Sequence, residues 1–302
     1  MRRFPLFVAV VIALIMAGSL AGVAPVSAWL PLPHWLLWIA VVLSAAVALN
    51  EILGKPVPFL RWSFLRMLFG IKTLLTEWQV GDGREERVCE VVLSKARRGD
   101  ADDVIRTIDE FCYQDSLLIN VGDRKGAILD AALERGQPKT ILELGCYVGY
   151  SAIRMARKLP GAGHLYSVEF NEANAEIARK IIDHAGLSDR IHVVLGTLGN
   201  GGQTLDHLES VCGLSAGGLD FIFIDHAKDA YLPDLRLILE KGWLHPGSIV
   251  VADNIRVPGA PEYRAYMKKQ EGKLWRSKEH KTFAEYQSII PDIVLESYYL
   301  NN

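Results

Sequence analysis

Two short apolar runs stop abruptly at polar side chains that could do chemistry. The run 219–224 ends in Asp225-His226-Ala227-Lys228, and the run 248–252 ends in Asp253-Asn254. Asp225, Asp253 and Asn254 are hard oxygen donors with no cysteine or clear second histidine among them. Such a set suits Mg2+ or another hard cation better than zinc. Lys228 follows closely on Asp225. Beside a divalent cation the charged amine is disfavoured, so its pKa is expected to fall toward the range of a general base.

A second group surrounds a glycine turn. The run 140–144 leads into Gly145-Cys146-Tyr147-Val148-Gly149-Tyr150-Ser151, with Glu143 just before the turn. Glycine there permits a tight turn and close approach of a ligand to the backbone, with a helix N-terminus directly behind. Glu169 closes the next strand roughly 20 residues further on, where an acid can accept hydrogen bonds from both hydroxyls of a ribose. Together these imply an adenosine-type cofactor. Tyr147 occupies the second glycine position of a GxGxxG fingerprint, which counts against a dinucleotide. S-adenosylmethionine has no pyrophosphate and does not need that glycine. His226 suits the wall of an adenine pocket or, alternatively, a metal ligand.

The elements that must position these groups alternate in type. Helices are predicted over 84–98, 101–117 and 121–135, then strand 140–144 and helix 150–158. Strand 164–169, helix 172–185, strand 191–195, helix 203–211, strand 219–225, helix 231–240 and strand 248–253 follow, then a helix near 261–270. Strand–helix alternation means parallel βαβ units in a doubly wound α/β sheet, whose ligands sit beyond the carboxyl ends of the strands. Segments 280–288 and 292–300 are expected to supply outer strands of a mixed sheet.

Composition narrows the classes. The 302 residues are 50% hydrophobic and 23% charged, with a net charge of −2. This excludes a disordered chain, and the lack of a basic field gives nucleic-acid binding no support. The four cysteines, Cys89, Cys112, Cys146 and Cys212, form no CxxC pair, so neither a zinc site nor a disulfide framework is indicated.

Hydrophobicity is concentrated at the start. Residues 4–24 and 29–50 carry no charge, each near the length of about 20 residues that spans a bilayer. Trp29, Trp35 and Trp38 resemble an aromatic belt, and prolines 25, 31 and 33 favour a turn between the runs. Arg2 and Arg3 precede the pair, and Lys55, Arg61, Arg66 and Lys72 follow it. A helical hairpin with spans at about 4–24 and 29–53 is therefore expected, with the lipid bilayer as partner and the catalytic domain facing the cytoplasm. A cleaved signal peptide ending near Val26-Ser27-Ala28 is the competing reading of the first run. Residues 55–80 mix basic and aromatic side chains as an interfacial helix or a plain linker helix would. The globular domain is expected over 81–302.

Several separated blocks resemble the catechol O-methyltransferase family over about residues 72–300. They are Asn120-Val121-Gly122-Asp123 with Lys125-Gly126, Leu142 to Gly145 with Gly149-Tyr150-Ser151, Asp225-His226 with Lys228-Asp229, and Tyr231 to Asp234. Ala252-Asp253-Asn254, Pro258 to Pro261 and Glu285-Tyr286 continue the match in the same order. The resemblance implies a Rossmann-like S-adenosylmethionine-dependent methyltransferase fold and Mg2+-dependent methylation of one catechol hydroxyl. Asp225, Asp253 and Asn254 would hold the metal and Lys228 would be the base. Asn254 and Glu285 would hold the two hydroxyls, with Leu117, Ala227 and Pro258 around the acceptor. Val121, Glu143, Gly145, Tyr147, Tyr150, Ser151, Glu169, Phe170, Leu198, Asp225 and His226 would line the cofactor site.

The chain departs from that family at several places. Leu117 and Ala227 stand where the family has tryptophans, Ile119 replaces a methionine, and Leu198-Gly199 replaces a polar pair at the adenine. A wider pocket follows, which suggests larger vicinal-diol phenolics of flavonoid or caffeoyl type as alternative acceptors. A nicotinamide-dependent oxidoreductase and a non-catalytic membrane scaffold are the rival classes. The first conflicts with the glycine turn and the second has no need of the acids or the base.

Overall fold

Five short apolar stretches with β-branched and aromatic residues become the parallel part of one sheet. They are β1 (Thr140–Leu144), β2 (His164–Glu169), β3 (Ile191–Leu195), β4 (Leu219–Ile224) and β5 (Leu244–Ala252). All pair in parallel, and β6 (Trp275–Phe283) and β7 (Pro291–Tyr299) add antiparallel strands in the order β3-β2-β1-β4-β5-β7-β6. The computed structural model describes residues 34–53, 57, 60–77 and 79–301. The chain divides into two compact units, one holding residues 1–76, 80–82 and 115–117, the other residues 77–79, 83–114 and 118–302.

The larger unit is the doubly wound α/β fold expected from the alternation. Its helices are α4 (Arg84–Lys95), α5 (Ala101–Gln114), α6 (Gly122–Gly136), α7 (Tyr150–Ala156), α8 (Glu172–His184), α9 (Gln203–Ser210), α10 (Tyr231–Glu240) and α11 (Pro261–Lys269). The strand period of two sorts side chains between two faces. Leu142, Leu144, Ile222, Ile224, Val250 and Ala252 join Leu205, Leu235, Ile238 and Met267 from α9, α10 and α11 in one core. The intervening Ile141, Phe221, Phe223, Ile249 and Val251 are equally buried on the opposite face, where α6, α7 and α8 contact the strands.

Two strands begin earlier than their hydrophobic patterns predict. β5 starts at Leu244 rather than near 248 because Pro246 and Gly247 lie in an irregularity of the β4–β5 register, bridged by the bond from Ser248 Oγ to Leu219 O at 2.7 Å. β6 occupies 275–283 rather than 280–288. It is an edge strand whose lysines and glutamate lack apolar alternation, so backbone pairing with β7 defines it.

The N-terminal expectations require correction. Among the described residues no helix is long and apolar enough to cross a membrane. Within the expected span 29–53 the structure has α1 (His34–Ile52), whose last turn carries Asn50 and Glu51. Asn50 is buried and folds back on Val57, accepting from its amide at 2.8 Å and donating to its carbonyl at 3.0 Å, so a polar turn ends the apolar run. The expected span 4–24 lies outside the described residues. The single interfacial helix expected over 55–80 is instead two helices, α2 (Trp62–Phe69) and α3 (Ile71–Glu77), parted at Gly70. A side chain on Gly70 would come within 2.2 Å of Val80 O, so the chain must pass there without one.

The β1–α7 turn depends on Gly145. Its φ is 99°, and a Cβ added there would lie 2.5 Å from Asp225 O and 3.1 Å from His226 N, both backbone atoms of the loop after β4. Gly145→Ala is therefore expected to destabilise the larger unit by about 2–4 kcal/mol, from left-handed strain plus displacement of the neighbouring loop. Urea unfolding of the variant measures the loss.

Candidate active site

The centre of the site is an ammonium group enclosed by carboxylates. Lys125, in the first turns of α6, is 1% exposed. Its Nζ lies 2.8 Å from Asp253 Oδ2 and 3.2 Å from Asp292 Oδ2, and it also bonds to Glu285 Oε1. Asp253 closes β5, Asp292 opens β7, and Glu285 sits in the connection before it. Burial opposes the Lys125 charge, but the carboxylates of Asp253, Glu285, Asp225 and Asp292 outweigh it and raise its pKa.

Asn254 is arranged by the same cluster. It is a left-handed residue with φ 51°, a conformation asparagine tolerates. Its Nδ2 donates to Glu285 Oε1 at 3.0 Å and to Asp292 Oδ2 at 3.1 Å. Asp292 Oδ1 in turn accepts from the amides of Arg256 at 3.1 Å and Val257 at 3.0 Å, anchoring the turn after β5 that contains Pro258. At the end of β4, Lys228 Nζ donates to Asp225 Oδ1 at 2.9 Å and to Tyr231 OH at 2.7 Å. Tyr231 OH donates on to the carbonyl of Asp253 at 3.2 Å, which ties the two strand ends together.

Of the residues expected to line a cofactor site, Glu143 and Glu169 lie about the β1 turn. Glu169 receives the amide of Tyr147 at 2.8 Å on one oxygen and that of Asn171 at 2.9 Å on the other, so the acid also holds the turn in shape. Glu143 is fully buried and accepts from Ser167 Oγ, while its Oε1 has no hydrogen-bond partner. Burial pushes the Glu143 carboxyl up to about 8, Ser151 and Ser167 partly offsetting this and the charges of Asp225 and Glu169 adding to it. Burial likewise raises Glu169. His226 Nε2 pairs with Asp234 Oδ2 at 2.9 Å, its ring stacks on Tyr231 with centroids 5.2 Å apart, and its buried Nδ1 has no partner.

Other expected residues are placed differently from one another. Val121 is buried at the start of α6, and its neighbour Gly122 abuts Glu285 and Tyr286, each within 3.6 Å of a Cβ built there. The Tyr147 hydroxyl donates to buried Glu85 Oε1 at 2.7 Å, and that of Tyr150 to Asp109 Oδ1 at 2.8 Å. Leu198 is buried within the apolar core below the sheet, Phe170 is 42% exposed, and Ala227 is half-buried on the loop after Asp225. Leu117 belongs to the N-terminal unit and is buried. A cavity of about 510 Å3 lined by Tyr166, Arg179, His192, His207 and Cys212 opens elsewhere, at the β3 edge, and includes none of these groups. Asp234, Tyr231 and Asp292 complete the cluster; the first two had only their places in a matched block of the sequence and Asp292 had none. Lys125 had only its place in a matched block. An aspartate inside the apolar run 289–295 was the available signal for Asp292.

Among the described residues no group of three or more His, Cys, Asp or Glu side chains is arranged to hold a metal ion. The set expected from the sequence differs in kind, since it pairs two carboxylates with the amide oxygen of Asn254. Its chemistry fits a hard cation. Asp253 Oδ2 is buried and receives no hydrogen bond of good geometry, although Lys125 lies close enough to pair with it. Burial pushes the Asp253 carboxyl up to about 7, with Lys125 countering and Asp225 and Glu285 adding to the rise, and burial also raises Asp225. These carboxylates are short of positive charge.

Two outcomes are expected. Lys125→Met leaves Asp253, Glu285 and Asp292 facing one another without their ammonium and should cost about 3–5 kcal/mol in denaturant unfolding. Glu143 binds a proton in the folded state that the unfolded chain releases between its ordinary pKa and about 8. Its contribution to stability is full below the ordinary carboxylate pKa and is lost as pH rises through about 8. Glu143→Gln should therefore flatten the fall in unfolding free energy between about pH 5 and pH 9, measured against the unsubstituted chain.

Known proteins share this sequence and fold. The O-methyltransferase family profile matches residues 97–270. A probable O-methyltransferase of Mycobacterium tuberculosis is 58% identical over 78% of this chain and 100% of its own length. The catechol O-methyltransferase of Mus musculus is 36% identical over 70% of this chain and 77% of its own. Among solved structures, a Streptomyces achromogenes O-methyltransferase of tomaymycin synthesis, in complex with S-adenosylmethionine, superposes with a TM-score of 0.54 at 20% identity. That match covers 72% of this chain and 99% of the other. The fold is thus a shared one, and the chain is a member of the O-methyltransferase family.

Proposed function

We propose that this chain transfers a methyl group from S-adenosylmethionine to one hydroxyl of a catechol-type acceptor, with Mg2+ held by Asp225, Asp253 and Asn254 and with Lys228 as general base. The observation that carries this reading is the charge balance at the ends of β4 and β5. Among the described residues, the four carboxylates of Asp225, Asp253, Glu285 and Asp292 pair with two ammonium groups, Lys125 and Lys228. When all are ionised, two negative charges remain, which a divalent cation neutralises. Membership of the O-methyltransferase family supports the reaction class. The 36% identity to a catechol O-methyltransferase supports the acceptor class, and the fold shared with a structure holding S-adenosylmethionine supports the donor.

In this reading Asp225, Asp253 and Asn254 would hold the cation, and when bound it would supply Lewis acidity that lowers the pKa of an acceptor hydroxyl. Once cation binding has displaced its own proton to solvent, Lys228 would act as the neutral amine and take the proton from that hydroxyl. The oxygen then forms a bond to the methyl carbon as the carbon–sulfur bond of the sulfonium breaks, leaving a methyl ether and S-adenosylhomocysteine. Glu285 binds Lys125 and Asn254 through Oε1, which leaves Oε2 to accept from the neighbouring hydroxyl and orient the acceptor. Tyr231 keeps Lys228 beside Asp225 and at the end of β5. The small side chain of Ala227 favours a second acceptor class, the larger vicinal-diol phenolics.

Methyl transfer from labelled S-adenosylmethionine, run with dopamine, caffeate and a flavonoid in Mg2+ and in EDTA, tests the reading. Methylation is expected only with the metal. Lys228→Ala and Asp253→Ala are expected to lower turnover by about 100-fold or more, with S-adenosylhomocysteine still bound in calorimetry. Undiminished turnover in both variants, or full activity in EDTA, refutes the assigned site. Caffeate or the flavonoid outrunning dopamine identifies the larger acceptors.

A further inference from the structure

We propose that Asp109 is a positioning residue that holds the acceptor-facing Glu285 in place through Tyr286 while bracing the helix behind the cofactor turn through Tyr150. Asp109 lies on α5, outside the cluster of strand-end acids. One of its oxygens, Oδ1, accepts two hydroxyl protons, from Tyr150 at 2.8 Å and from Tyr286 at 2.9 Å. Tyr150 opens α7, immediately after the turn built on Gly145, Tyr147 and Gly149. Tyr286 directly follows Glu285 and is 3% exposed.

Tyr286 is held against its preference. Its φ is 52°, in the left-handed region, which a bulky side chain keeps only when the surroundings over-determine it. The restraint includes the hydroxyl bond to Asp109, a side-chain hydrogen bond with Cys112 and the edge-on packing of the Tyr113 ring at 5.1 Å and 88°. The other arm is directional as well. Arg154, fixed to Asp130 at 2.9 Å, donates to Tyr150 OH at 3.1 Å, so the Tyr150 hydroxyl proton must point elsewhere, and Asp109 takes it. A rigid line therefore runs from Asp130 through Arg154, Tyr150, Asp109 and Tyr286 to the backbone of Glu285. Removing the Tyr286 hydroxyl frees the strained residue to relax and lets Glu285 shift, so that either acceptor hydroxyl can face the methyl donor.

The inference rests on Glu285 orienting the acceptor, as proposed above. Full-length chain, Tyr286→Phe, Asp109→Ala and Asp109→Asn are compared on protocatechuate, whose two hydroxyls give distinguishable methyl ethers. Tyr286→Phe is expected to raise the acceptor KM about tenfold and to move the product ratio at least about threefold toward unity, with S-adenosylhomocysteine affinity within about twofold of the unsubstituted chain. Asp109→Ala should reproduce the altered ratio, and Asp109→Asn, which keeps an accepting oxygen, should restore most of it. The near-isosteric Tyr286→Phe keeps the test valid should Asp109→Ala fail to fold. An unchanged ratio in Tyr286→Phe overturns the inference while leaving the proposed reaction intact. An unsubstituted chain that binds S-adenosylhomocysteine but methylates no catechol overturns both.

Discussion

A buried ammonium is tolerable only when carboxylates surround it, and Lys125 imposes that demand on the rest of the fold. Its three partners arrive from separate places: the end of β5, the connection between β6 and β7, and the first turn of β7. A purely parallel sheet would not deliver the last two. The antiparallel hairpin beside β5 lays Asp292 next to Asp253 and leaves Glu285 over the same spot. Asp292 then does a second job, since its other oxygen receives the amides of Arg256, Val257 and Ile293 and so shapes the turn that follows Asn254. One cation thus links the parallel half of the sheet, its antiparallel extension and the loop between them.

Acids at the strand ends divide into those that hold backbone and those that hold charge. Glu169 spends both oxygens on amides of its own neighbourhood, and Asp292 spends one on three amides. Asp253 and Asp225 sit in low-dielectric surroundings that raise both carboxyls, and Asp253 retains an oxygen without a good donor. Such groups are poised to gain from a positive partner because their desolvation is already complete in the folded chain.

Backbone strain is concentrated in the same region. Of the described non-glycine residues with positive φ, Tyr147, Asn254 and Tyr286 lie in the loops after β1, after β5 and before β7, while Gln137 merely ends α6. Each strained residue has a specific restraint: Glu169 on the amide of Tyr147, Glu285 and Asp292 on the side chain of Asn254, Asp109 on the hydroxyl of Tyr286. Side chains could not otherwise be kept in these directions on loops.

Local pattern was enough to read the parallel strands, because five apolar runs alternate with helical segments and end at polar residues, and both signals depend only on near neighbours. The same runs made Asp225, Asp253, Asn254, Glu143 and Glu169 visible as candidates. Elements held by partners far along the chain were misplaced or missed. β6 has no apolar period and exists because β7 pairs with it, and the early start of β5 is hidden by Pro246 and Gly247. The apolar start of the chain reads as a pair of spans, whereas the described part ends in a polar turn closed by Asn50 and Val57. Lys125 with Asp292, and Asp109 with Tyr150 and Tyr286, are pairings across long stretches of chain, and no window of sequence contains both partners. Sequence determined which residue types stand at the strand ends; only the tertiary structure decided which charges and hydroxyls meet there, because burial and pairing energies depend on what folding brings together.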